Sequence, residues 1–264
     1  MLTRRLVQFV LALMCMAAFA SCGGNTDDDV PLIFAAASLS DVLTESADVY
    51  ERETGRRVDF SFGGSLALAN QIAKLDAPAD GVVLAGWEAG EILEDAGKLY
   101  SRGYDHQIFN KLVVIGATDQ FPIESLEQLV NLQGRIAIGD PALAPAGFFA
   151  RQALEDAGIY DLVSDRLITT VDVRAALTAV ESGNAKFGLV YVTDYLSSQN
   201  DSARVLLELE SGHTPIGYGA TGIRSGKRDG RANTFIEFVL STPETRRIFE
   251  DAGFSLISID DLPA

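Results

Sequence analysis

The sequence predicts an α/β fold in two lobes, with mainly parallel sheets flanked by helices. Three observations predict it. From residue 31 onward, short apolar runs alternate with amphipathic stretches, the pattern of strands joined through helices. Several amphipathic stretches close on a glycine (Gly55, Gly97, Gly158, Gly183), the residue best suited to a left-handed helix cap. The strand–helix units also stop near His106, restart at Lys111-Leu112-Val113-Val114 and end near Glu210-Ser211-Gly212. That layout describes a middle lobe, 109–213, inserted into an outer lobe made of 31–108 and 214–264.

Taken in order, the candidate strands are 32–36, 58–62, 81–85, 112–117, 135–139, 167–171, 187–192 and 204–209, with a late pair at 216–222 and 254–257. Helical faces lie between them. Leu39, Val42, Leu43, Ala47 and Tyr50 form one stripe; Ala89, Ile92, Leu93 and Ala96 a second; Ala153, Leu154 and Ala157 a third; Val173, Ala176, Leu177 and Val180 a fourth. Two further helices, at about 231–241 and 243–252, close the chain.

The first 21 residues read as an export signal. Arg4 and Arg5 supply a positive start, and an apolar stretch from Leu6 to Ala20 leads into Ala20-Ser21-Cys22. Phe19-Ala20-Ser21-Cys22-Gly23 resembles the lipobox of bacterial lipoproteins, which implies cleavage before Cys22 and a lipid on its sulfur. An ordinary signal with an incidental cysteine remains the alternative. Residues 22–30, with Asp27-Asp28-Asp29, read as a solvated tether. Cys15, the other cysteine, lies inside the signal, so the exported domain has no disulfide and relies on its core. Without Arg4 and Arg5 the chain carries 19 basic and 37 acidic residues. An acidic chain with no basic stripe excludes nucleic acid and anionic membrane surfaces as partners, which leaves a lipid anchor as the only membrane contact.

Ligands of open α/β sheets bind beyond the carboxyl ends of the strands, so the strand-to-helix junctions carry the chemistry. Four stand out. Ala35-Ala36-Ala37-Ser38 strips away side chains before a helix; Ser38 sits as an N-cap would, with Asp41 three residues on, and its hydroxyl is also placed to face an anion at the helix start. Phe62-Gly63-Gly64-Ser65 repeats the arrangement. In 139–147 Pro145 and Gly147 bracket Ala146 at the start of an apolar helix. Asp172-Val173-Arg174 follows the strand at 167–171, and Tyr191 emerges from the strand at 187–192. Each has a plainer reading: Val173 as core, Tyr191 as a half-buried aromatic, Arg174 as a solvated helix residue.

Taken together, "FAAASLSDV", "FGGSLALANQI" with "APAD", "IGDPALAPAG", "DVRAALTAVESG" and "GLVYVTD" resemble the periplasmic molybdate-binding proteins of bacterial ABC transporters, in order and spacing. The resemblance implies a type II periplasmic-binding-protein fold and an extracytoplasmic monomer that hands molybdate or tungstate to a membrane permease and its ATPase. It places the oxyanion ligands on Ser38, Ser65, Ala146, Val173 and Tyr191: hydroxyl and backbone N–H groups from the serines, backbone N–H groups from Ala146 and Val173, and the phenol of Tyr191. No cofactor and no direct metal-cation ligand is implied, since molybdenum arrives as its oxyanion. The chain departs from the family at Leu84-Ala85-Gly86-Trp87, where relatives often carry Asp or Asn, and at Gly63-Gly64, where some have a more serine-rich turn. The alternatives are a binder of sulfate or another oxyanion on the same fold, and an exported serine hydrolase using Ser38 or Ser65 with His106 or His213. The hydrolase lacks both a G-x-S-x-G elbow and a recognisable His–acid pair.

Overall fold

In the computed structural model of the protein, the described residues are 29–100, 106–198 and 200–257. Cys22 and the export segment lie outside them. The chain begins with strand β1 (Leu32–Ala36), a 3-10 turn (Ala37–Leu39) and helix α1 (Ser40–Thr54). Two further units follow: β2 (Asp59–Gly63) with α2 (Ser65–Leu75), and β3 (Gly81–Ala85) with α3 (Trp87–Asp95). Strand β4 (His106–Asn110) leads through Lys111 alone into β5 (Leu112–Ala117). Then come β6 (Ile136–Gly139), α4 (Pro145–Asp156), α5 (Tyr160–Val163), β7 (Leu167–Thr170), α6 (Val173–Glu181), β8 (Phe187–Tyr191), α7 (Val192–Ser197) and β9 (Ala203–Leu209). The chain closes with β10 (Ile216–Gly222), α8 (Asp229–Ser241), α9 (Pro243–Asp251) and β11 (Ser255–Leu256).

The strands form two sheets. One, of six strands, is ordered β11-β4-β10-β3-β1-β2; the other, of five, is ordered β7-β6-β8-β5-β9. Strand membership changes at Lys111 and again between Leu209 and Ile216. Parallel pairing belongs to the strand–helix–strand portions: β1 with β2 and β3, and β6 with β7 and β8. Strands that enter from the other sheet or return late run antiparallel: β10 against β3 and β4, β11 against β4, and β5 against β8 and β9. Each sheet is therefore mixed, with the parallel part carrying the helix starts that matter below. A parallel strand needs a helix crossover, whereas β5 and β10 enter their sheets directly from the other sheet.

Burial explains why these segments are strands. Every residue of β3 and of β8 is buried, as expected of central strands covered on both faces. The helices lay the predicted stripes on the sheets: Val42, Leu43, Val49 and Tyr50 of α1 are buried, as are Ala176, Leu177 and Val180 of α6. Gly55 closes α1 at φ 69°, a conformation most residues avoid. Tyr50 meets Phe235 and Phe238 of α8 edge-on, with ring centroids 5.3 and 5.1 Å away. Strand β4 is not legible in the sequence pattern. It has one buried apolar residue, Ile108, and pairs only because β10 and β11 flank it.

Asp80, just before β3, fastens the first sheet. It is 3% exposed. One oxygen accepts the N–H of Leu32 at 2.9 Å, and the pair of oxygens takes the N–H and Nη1 of Arg228 at 2.9 and 3.2 Å. It thereby binds the starts of β1, β3 and α8 at one point. Removing one partner of a buried charge pair leaves the other uncompensated, at a cost of about 3–5 kcal/mol. Asp80→Ala should lower the urea midpoint by that much stability, with the slope of the transition unchanged.

Candidate functional site

The parallel strands end where the two sheets face each other, and a cavity lies there. It holds about 220 Å³ of empty space, its mouth included. That is below the roughly 300–1,000 Å³ typical of pockets for drug-sized molecules, so the cavity suits a compact ion. The first sheet lines it with Ala36, Ala37, Ser38, Gly63, Gly64, Ser65 and Ala85; the second lines it with Ala144, Pro145, Ala146, Asp172, Val173 and Tyr191. Ser38, Ser65, Ala146, Val173 and Tyr191, singled out from the sequence on five separate elements, thus share one cavity. Val173 and Tyr191 are buried, at 4% and 2% exposure, and line it at the same time.

What each hydroxyl can do depends on what already holds its oxygen. Ser65 Oγ accepts the N–H of Ala85 at 3.0 Å, so the hydroxyl hydrogen is free to be donated. Ser38 Oγ lies 2.9 Å from the Tyr218 hydroxyl. Asn110 settles the direction of that bond: its Oδ1 accepts the N–H of Lys111 at 2.9 Å, and its Nδ2 donates to Tyr218 at 3.0 Å and to Thr193 Oγ1 at 2.8 Å. Tyr218 therefore gives its own hydrogen to Ser38, whose hydrogen remains available. The Tyr191 hydroxyl is buried and has no hydrogen-bond partner among the described residues. Such a group costs stability unless something accepts its hydrogen. Burial raises the pKa of both Tyr191 and Tyr218, so both phenols stay protonated donors at neutral pH.

The expectation that Ser38 caps a helix is corrected here. Ser38 lies in the 3-10 turn, Leu39 takes the N-cap position of α1, and no side chain caps that helix. Asp41 does not cap it either. Ser65 is likewise inside α2, with Gly64 at the N-cap. At the fourth junction Asp172 is a side-chain cap, its Oδ1 accepting the N–H of Ala175 at 2.9 Å. Ala146 and Val173 stand in the first turns of α4 and α6, where N–H groups have no carbonyl four residues back to bond. With the helix dipoles, they favour negative charge.

The glycines at the site answer to close backbone approach. A Cβ on Gly64 would lie 2.5 Å from the carbonyl oxygen of Leu143 and 2.9 Å from that of Val171, both on the opposite wall. Beside it, the N–H of Ala67 donates to Leu143 O at 3.0 Å, from one wall to the other. At Gly147 a Cβ would stand 1.9 Å from Gly139 O, so only glycine lets α4 start against β6.

Apart from Asp172, the charged groups sit behind the lining rather than in it. Arg174, expected to be solvated, is instead partly buried, with Nη2 2.8 Å from Asp41 Oδ2 and Nε 2.7 Å from Asp194 Oδ1. The second contact brings opposite charges together without hydrogen-bond alignment. Asp194, fully buried, accepts the N–H of Tyr191 at 3.3 Å. Burial pushes its pKa up to about 7, opposed by Arg174 and the Tyr191 N–H and assisted by Asp172. Sequence reasoning missed Tyr218, Asn110 and Asp194. Tyr218 left a trace as a lone aromatic between Gly217 and Gly219, and Asp194 as the last residue of "GLVYVTD".

The hydrolase alternative finds no support in the geometry. Ser38 and Ser65 bond Tyr218 and Ala85, and His213, bonded to Thr214 O at 2.8 Å, is not among the lining residues. The side chain of His106 is outside the described part. Among the described residues no cluster could hold a metal cation and no helix is long and apolar enough to cross a membrane.

Asp194 gives this region a pH signature. An unfolded aspartate titrates near 3.9, whereas the folded one holds its proton to about pH 7. The folded state thus binds more protons between those values, and its stability falls as the pH rises from about 4 to about 7. Denaturation midpoints across that window should show the decline, and Asp194→Asn should flatten it.

Comparison with known proteins agrees with this architecture. The family described as bacterial extracellular solute-binding protein matches residues 31–255. The molybdate-binding protein ModA of Escherichia coli (strain K12) is 31% identical over 246 residues, covering 90% of this chain and 94% of that protein. Among solved structures, the Azotobacter vinelandii periplasmic molybdate-binding protein aligns at TM-score 0.75 and 22% identity, over 86% of this chain and 100% of that one. The sulfate-binding protein SubI from Mycobacterium tuberculosis H37Rv aligns at TM-score 0.73 and 15% identity, over 88% of each chain. These two likenesses show the fold, that of the two-lobed periplasmic binding proteins. The chain belongs to the bacterial extracellular solute-binding family, whose members are transport proteins and not enzymes.

Proposed function

We propose that the protein captures molybdate, and tungstate with it, in the cavity between its two sheets, through the hydroxyls of Ser38, Ser65 and Tyr191 and the backbone N–H groups of Ala146 and Val173. The observation that carries this reading is the Tyr191 hydroxyl: buried, protonated and, among the described residues, without a partner, in one cavity with two serines whose hydrogens are also free. Donors of that kind suit a fully ionised tetrahedral oxyanion, which accepts at every oxygen. Asp172, the one carboxylate of the lining, turns an oxygen to its own helix. A protonated phosphate would have to find an acceptor for its hydrogen, and an unpaired polar group in a closed site is costly. The named relatives that bind molybdate support the choice of anion.

In this reading residues 31–108 with 214–264 and residues 109–213 act as two lobes that close on the ion. The loaded, monomeric form is then delivered to an ABC permease and its ATPase. Residues 1–21 direct export, Cys22 carries a lipid and residues 22–30 tether the domain to the membrane.

Thermal melts of the exported domain with molybdate, tungstate, sulfate or phosphate test the assignment. A ligand at a thousand times its dissociation constant adds about 4 kcal/mol, or roughly 8–16 °C for a domain of this size. Molybdate and tungstate should give such shifts. A shift with sulfate alone would replace the anion, and no shift with any of the four would remove the binding reading. Each donor to an anion contributes about 1.5–3 kcal/mol, so Ser38→Ala, Ser65→Ala and Tyr191→Phe should each weaken molybdate binding roughly 10- to 100-fold by calorimetry. The melting temperature of the ligand-free domain should rise or hold for Tyr191→Phe, which removes a buried unpaired hydroxyl.

A further inference from the structure

We propose that Arg174 is a latch across the cavity, a positioning residue that sets how long a bound oxyanion stays. The proposal rests on the binding function just given. Arg174 belongs to the wall built on the second sheet, as the second residue of α6 and the neighbour of Val173. Its guanidinium reaches the other wall. There Nη2 donates to Asp41 Oδ2 at 2.8 Å and approaches the carbonyl oxygen of Ser38 at 3.4 Å. On its own wall Nε meets Asp194, three residues beyond Tyr191. One planar cation therefore joins the residue that offers the Ser38 donor to the elements that offer Val173 and Tyr191.

The two contacts differ in what they depend on. The Asp194 contact lies within one wall and persists however the walls stand. The contacts to Asp41 and Ser38 exist only while the walls are together. An anion held by donors from both walls leaves only when they part, so an interaction present solely in the closed state slows release and leaves capture by the open state unchanged. A guanidinium can stand between both carboxylates at once, hydrogen-bonded to Asp41 and ion-paired with Asp194, which a single ammonium cannot do from this position. The same cation offsets the negative charge of Asp194 close to where an anion binds.

Asp41 makes the clean test, because its side chain is 60% exposed and its loss strands no buried charge. Release of molybdate from wild type and from Asp41→Asn is followed by rapid filtration with labelled ion, at pH 8, where Asp194 is ionised. The off-rate should rise roughly two- to fivefold, the range of a partly exposed ion pair, while the on-rate and the melting temperature of the ligand-free domain stay at wild-type values. Arg174→Lys keeps a cation beside Asp194 and should raise the off-rate similarly. Adding Asp41→Asn to it should then do nothing further, the non-additivity of groups that share one interaction. High salt should shrink the difference between wild type and Asp41→Asn. An unchanged off-rate in Asp41→Asn, with molybdate still binding to wild type, overturns the latch and leaves the binding function standing. Equal changes in on-rate and off-rate, or additive effects in the double variant, overturn it as well. If wild type binds none of the four anions, the binding function falls, and the latch, which acts on a bound ion, falls with it.

Discussion

A hydroxyl has one hydrogen, and where that hydrogen goes is decided by whatever holds the oxygen. The site depends on this constraint. Ser65 can serve an anion because the Ala85 N–H occupies its oxygen, and Ser38 because Tyr218 does the same. Tyr218 is itself turned by Asn110. A site made of hydroxyls without such backing would present lone pairs as readily as hydrogens, and an anion would be repelled as often as bound. The small residues around the serines serve the same end. Ala36, Ala37, Gly63 and Gly64 leave the donors standing in the open and let the facing backbone come close.

Net charge sets the second condition. The chain is at −16, a poor host for an anion if long-range charge decided the matter. Screening limits that field to about 8 Å at physiological ionic strength, so what acts on an ion inside the cavity is its immediate surroundings. Those are helix starts, amide hydrogens and neutral hydroxyls, with Asp172 the one carboxylate among them, an oxygen of it held by the Ala175 N–H. Neutral donors also have a practical merit in an acidic protein: a lysine or arginine in the lining would be claimed by the many carboxylates nearby. Arg174 illustrates this, since its guanidinium is held between Asp41 and Asp194 and is not part of the lining.

Much of this was readable in the sequence, and the failures have a common cause. The strand-to-helix junctions were legible because small residues before a helix are a local signal, and the strands β1, β3, β5 and β10 fall where apolar runs put them. Ser38 does not cap its helix, which capping rules miss because they consult neighbours along the chain, whereas its partner Tyr218 is 180 residues away. Gly64 looked like turn chemistry, yet its reason is the opposing carbonyls of Leu143 and Val171. Strand β4 had too few apolar residues to announce itself, because β10 and β11 supply what holds it. Arg174 was indistinguishable from a solvated helix residue until its two carboxylates were in view. Local chemistry is written locally; contacts between the walls are not.

One short stretch joins the two sheets. Asn110 ends a strand of the first sheet, and after Lys111 alone the chain is already in the second. Its side-chain amide bonds Tyr218 in the first sheet and Thr193 at the start of α7 beyond the second. The residue at the joint between the walls is thus also the residue that orients the Ser38 hydroxyl. Any movement at Lys111 would stretch or swing that amide, and with it the hydrogen that Tyr218 gives to Ser38: the aim of a donor and the alignment of the walls share one residue.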